Sequence, residues 1–213
     1  RRQRQMCIRD SSYLATGEVR LNPQHPPLMK LLSAAPLLAL EPAFDHAALA
    51  SEERLPNEWA FGFRFLYRND ADQLLFWGRL PVLATAIVLA AYVFVWARRL
   101  FGDAAAAAAL YLCAFSPTLS AHARLVTFDV PLACFSTLAL YHLWRYERGG
   151  RGLHLALTGL GLGLAMATKY SGLLLLPTFA LLLAPRLLGW TDETGQAPDG
   201  GPRRGGHALT TFF

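Results

Sequence analysis

The chain has 213 residues, of which 54% are hydrophobic and only 16% charged, and its net charge is +5. A soluble domain usually carries about a quarter charged residues, so this composition argues against a single soluble core and for a polytopic membrane protein. The basic residues stand in short clusters at the ends of apolar runs, the placement of topology determinants and not of a nucleic-acid-binding face.

The first ten residues, "RRQRQMCIRD", are basic and lack the apolar core of a signal peptide. They read as adapter-derived sequence, so 1–10 is set apart from the fold. Residues 11–75 read as an outer loop. Within it, "LNPQHPPLMKLL" (21–32) poses a problem, since a His and a Pro-Pro pair lead into an apolar run that contains a Lys. Pro is tolerated in the first turn of a helix, where a missing N–H costs nothing. The pattern predicts a helix of about 13 residues from Leu28, too short to span, lying in the membrane interface with Lys30 snorkelling to its edge. The 41–75 stretch is rich in acidic residues, a solvated face.

Spans are expected at 76–97, 104–121, 130–144, 153–168 and 171–189, forming a bundle over 76–189. A cytoplasmic loop and the truncated start of a further span follow at 190–213. Arg98 and Arg99, then Arg145, Arg148 and Arg151, then Arg186, Arg203 and Arg204 fall in alternate loops. The positive-inside rule therefore makes those loops cytoplasmic and puts 41–75, 122–129 and Lys169 outside. The glycines Gly159, Gly161 and Gly163 suit close helix packing in lipid. They form no dinucleotide loop, because no strand precedes them.

The candidate chemistry lies on the outer side. "HARLVTFDVPLACF" (122–135) puts His122, Arg124 and Asp129 at the mouth between two spans. An ionisable group at membrane depth is costly and points to function, but Asp before Val-Pro is also a good helix cap. Lys169 interrupts two apolar runs, either as an interfacial anchor or as a cation for an anionic headgroup. His25 is either structural or part of the same site, and Arg79 reads as a snorkelling anchor. The three Cys show no disulfide framework or metal spacing.

"YLATGEVRLNPQHPPLMKLLSAAPLL", "HARLVTFDVPLACF" and "GLGLAMATKYSGLLLLP" together resemble the phospholipid-carrier-dependent glycosyltransferases of family 39, which include protein O-mannosyltransferases and lipid A aminoarabinose transferases. The resemblance covers about residues 12–189. It implies an all-α polytopic membrane protein, a GT-C-like transmembrane helical bundle whose outer loop carries interfacial helices. "HPPL" (25–28) matches the family block in which the residue before Pro-Pro contacts the carrier phosphate, so His25 inherits that role. Asp129 matches an acidic catalytic position at the outer end of a span, and Lys169 matches a Lys near the carrier phosphate. Arg124 and Lys30 are further candidates for the lipid phosphate. Gln24 stands where the family can place an acidic metal ligand, so no cofactor is firmly called for and a divalent metal stays open. The leading carboxylate of the family should precede "SYLATG", where the foreign-looking tail now stands. The chain thus reads as an N-terminal fragment, inactive by itself.

The implied reaction moves a sugar from a polyprenyl-phosphate donor to a protein or lipid acceptor on the outer face of a membrane, the periplasmic face of a bacterial inner membrane, with inversion. Nothing points to a nucleic-acid partner. A secondary transporter would also use broken helices with polar residues, but at the bilayer midplane. A non-catalytic membrane scaffold fits the length but leaves the outer cluster unexplained.

Overall fold

The computed structural model describes residues 25–43, 65–149 and 151–188, without the side chains of 186 and 187. The N-terminal tail with Gln24, most of the acidic 41–75 stretch and the segment beyond 188 lie outside these residues. The described residues are helical throughout, with no strand among them.

Helix α1, Leu28–Leu38, starts directly behind Pro27, as the Pro-Pro pair predicts. It does not lie free on a surface. Met29, Ala34 and Leu37 are fully buried against the start of the next helix and its surroundings. Burying a side chain the size of Met29 contributes about 1.5–3 kcal/mol. Lys30 corrects an expectation: it is 0% exposed, so it does not snorkel outward but points into the protein, engaged with its surroundings. The chain after α1 is tied down by Asn69, whose amide accepts from the Ala43 N–H at 2.8 Å and donates to the Ala43 carbonyl at 3.1 Å.

Helix α2, Ala71–Phe101, has 31 residues, about 46 Å at 1.5 Å per residue. Asp70 caps it by accepting from the N–H groups of Asp72 and Gln73. Only 17% of its most apolar window is buried within the chain. A core helix of a soluble protein would be mostly buried, so this surface suits lipid. Gly102, at φ +88, makes the turn out of α2, a conformation only glycine adopts without strain.

Helices α3, Asp103–Ala114, and α4, Pro117–Ala123, occupy the expected span 104–121 but are bent by 58° at Phe115–Ser116. The cause is local. Pro117 cannot continue an α-helical hydrogen-bond ladder, and Ser116 starts a new helix by accepting from the Leu119 N–H. Helices α5, Asp129–Glu147, and α6, Gly152–Thr168, form the tightest pair. A 3-10 turn, Tyr170–Leu174, then leads into α7, Leu175–Leu187. Gly161 explains the close pairing of α5 and α6. A Cβ there would lie 2.7 Å from Leu138 Cδ2 and 3.0 Å from the Ala139 backbone N.

Among the described residues, α2 alone is long and apolar enough to cross a membrane, with the bent α3–α4 pair as a second if it counts as one broken span. Helix α5 is long enough but carries Asp129, His142, Arg145 and Glu147, while α6 and α7 are shorter.

Candidate functional site

The N-terminal ends of α1 and α5 and the C-terminal end of α6 meet at one end of the bundle. Beneath them lies a core of Met29, Val82, Ala86, Ala123, Val126, Phe128 and Val130, drawn from four helices and the 124–128 connector. The connector is held by the Thr127 hydroxyl, which donates to the His122 carbonyl, and by the Thr127 N–H on the Leu125 carbonyl. This fixes the backbone just before Asp129.

Asp129 does not cap its helix. The N-cap position is Phe128 and no side-chain cap bond forms. The carboxylate instead accepts from Lys169 Nζ at 2.7 Å, across 40 positions of sequence. The side chains are 56% and 31% exposed respectively, so the pair opens to the outside and is not sealed in the core. The position of Lys169 is set by its neighbours. Its backbone is extended, its N–H donates to the Ala165 carbonyl, and its carbonyl accepts from Gly172 at 2.8 Å. Gly172 must be glycine for this to work, since a Cβ there would lie 2.7 Å from the Ala165 carbonyl oxygen.

His25 stands beside the pair. Its ring packs on Phe128 with centroids 4.6 Å apart, next to Asp129 in sequence. Burial lowers its pKa from the ordinary 6.5, the nearby Lys30 and Lys169 lower it further, and Asp129 partly offsets them. The surroundings thus favour the neutral imidazole over the charged form. Its Nδ1 is buried without a hydrogen-bond partner among the described residues.

The structure thus gathers His25, Lys30, Asp129 and Lys169. It does not gather Arg124, which ends α4 exposed and takes no part in the contacts that join the others. His122 is engaged through Nδ1 with the Thr118 carbonyl of its own helix turn. Chemically, the gathered set offers an ammonium held in place by a carboxylate, a neutral imidazole with an open nitrogen and a second, buried ammonium. Such a set suits an anionic oxygen group with a polar reacting centre beside it. Among the described residues, no group of His, Cys, Asp or Glu forms a metal-binding cluster.

A second polar cluster, missed in the sequence, lies at the other end of α5. The Tyr92 hydroxyl is 3.1 Å from His142 Nε2, and His142 Nδ1 is 2.9 Å from His154 Nδ1, with the two imidazoles stacked. One of the two facing Nδ1 atoms must donate and the other accept, which links the tautomers of the pair. Tyr92 and His142 are 50 positions apart, so no local spacing could have revealed them.

Comparison with known proteins adds one positive finding. The family model described as dolichyl-phosphate-mannose-protein mannosyltransferase matches residues 71–191, from the start of α2 to beyond α7. No curated protein and no solved structure matches the chain.

Proposed function

The chain belongs to the dolichyl-phosphate-mannose-protein mannosyltransferase family, a membrane-embedded glycosyltransferase family, and from this premise we propose that it binds a polyprenyl-phosphate-linked sugar where Lys169, Asp129 and His25 meet. The observation that carries this reading is the Lys169–Asp129 contact of 2.7 Å beside His25. It supplies a cation at a fixed place, which lipid-phosphate binding needs and a flexible interfacial anchor does not.

The chemistry follows from charge. An acceptor hydroxyl or amine attacks the anomeric carbon, the carbon–oxygen bond to the phosphate breaks, and negative charge grows on the departing lipid phosphate. The Lys169 ammonium stabilises that charge. Neutral His25 contributes an N–H donor and not a charge. Asp129 orients Lys169, and its half-exposed carboxylate is the group to take the proton released by the acceptor. A single displacement of this kind inverts the anomeric centre. The acceptor is a protein or a lipid on the face of the membrane that carries this end of the bundle. The positive-inside rule puts that end on the non-cytoplasmic side, in this proposal the periplasmic face of a bacterial inner membrane.

The test is a donor-binding competition with the purified chain in lipid nanodiscs. Bound polyprenyl-phosphate mannose should resist excess nucleoside-diphosphate mannose and yield to unlabelled polyprenyl phosphate. Displacement by the nucleotide sugar would overturn the lipid-linked donor.

A further inference from the structure

At the end of the bundle opposite Lys169, two stripes of side chains face each other. Helix α5 presents Tyr141, Trp144, Arg145 and Arg148, spaced as neighbours on one helix face. Helix α2 presents Trp96, with Arg99 one turn further on. The Trp96 ring lies 6.0 Å from Tyr141 and 6.1 Å from Trp144, and the Arg148 guanidinium sits 5.1 Å over the Trp144 ring. Within this aromatic setting Trp96 Nε1 and Arg145 Nε are both buried and lack a hydrogen-bond partner among the described residues.

Buried N–H groups are rarely left unpaired, because desolvating them without an acceptor is costly. Trp and Arg side chains only donate, so the missing partner is an acceptor. With Arg99 and Arg148 exposed at the same mouth, that acceptor is anionic. Glu147, two residues beyond Arg145, does not face it on the helix; its Oε1 is buried as well and it is engaged with its own surroundings. The level of the site also matters. Trp and Tyr at the end of an apolar helix mark the headgroup zone of a bilayer. Val95, Leu100 and Phe101 are exposed on α2 beside it, an apolar surface for acyl chains.

We propose that the aromatic patch where the C-terminal ends of α2 and α5 pack binds the phosphate of an anionic phospholipid headgroup, held by Trp96 and Arg145 and screened by Arg148. This site is separate from the Lys169 end, since Asp129 and Arg145 stand 16 positions apart on α5, about 24 Å along the helix axis. The shared chemistry is a phosphate anion, and its source is the lipid of the leaflet on that side, the cytoplasmic leaflet by the positive-inside rule.

The experiment counts lipid retained by the purified chain in mixed micelles, by native mass spectrometry. Phosphatidylglycerol should be retained about tenfold better than phosphatidylcholine, whose own ammonium competes for the phosphate. Trp96→Phe keeps an aromatic ring while removing the donor with the rest of the indole, and it should lower phosphatidylglycerol retention about tenfold, the scale of one hydrogen bond to a charged group. Arg145→Gln should do the same, while circular dichroism checks that both variants keep their helix. Equal retention of the two lipids, or wild-type retention by the folded Trp96→Phe and Arg145→Gln proteins, overturns the proposal. Displacement of the lipid by excess inorganic phosphate would assign the site to phosphate in solution and overturn the lipid as its source.

Discussion

Replacing Lys169 by Ala separates a structural ion pair from a donor-binding cation. The Lys169–Asp129 contact is short, at 2.7 Å, but its side chains are 31% and 56% exposed. Water screens such a pair, so its contribution to stability is about 0.2–1 kcal/mol. Lys169→Ala should therefore lower the melting temperature by no more than about 4 °C in a chain of this size. Donor binding should suffer far more. A hydrogen bond to a charged group contributes about 1.5–3 kcal/mol, so the Kd for polyprenyl-phosphate mannose should rise about 10- to 150-fold. Lys169→Arg keeps the charge in a different geometry and should fall between the two. The assay is titration of the lipid-linked sugar against the chain in nanodiscs, with thermal melting of the same samples. If Lys169→Ala melts like the wild type and binds the donor within about twofold of it, Lys169 is only an anchor and the reasoning fails.

Three further outcomes are expected. The lowered pKa of His25 means that the unfolded chain takes up its proton first, so stability is complete above the unfolded value of 6.5 and declines as pH falls below it. A melting-temperature profile should show that decline, and His25→Asn should flatten it. Gly161→Ala should destabilise by about 1–3 kcal/mol through overpacking against α5, whereas Gly159→Ala and Gly163→Ala meet nothing within 4 Å and should leave chemical denaturation of the chain unchanged or slightly improved. Gly172→Ala would push on the Ala165 carbonyl and displace Lys169, so donor affinity should fall with Lys169 itself intact.

Much of the frame was legible in local signals. Pro26 and Pro27 marked the start of α1, and Lys169 marked the break between α6 and the turn that follows, because Pro and a lone charge interrupt apolar runs by their own chemistry. The bend at Ser116–Pro117 was equally visible in a Ser-Pro pair, but counting apolar length smoothed it into one span. Other features depended on distant partners. Asp129 before Val130-Pro131 reads as a cap, and only the fold brings Lys169 close enough to take the carboxylate instead. Lys30 in an apolar run looks the same whether it faces lipid or core, and the packing of α1 on α2 decides for the core. Gly159, Gly161 and Gly163 of α6 are alike in sequence, yet Gly161 alone among them faces α5. The Tyr92–His142–His154 chain joins three helices and leaves no trace in any one of them.

The central claim is that the donor phosphate binds at the Lys169 end of the bundle. The most direct test is photocrosslinking with a polyprenyl phosphate that carries a photoreactive group next to the phosphate, read by peptide mapping of the chain in nanodiscs. The account predicts label in the peptides containing His25–Lys30 and Thr168–Gly172. Label confined to the peptides containing Trp96 and Trp144, at the opposite end, would contradict it.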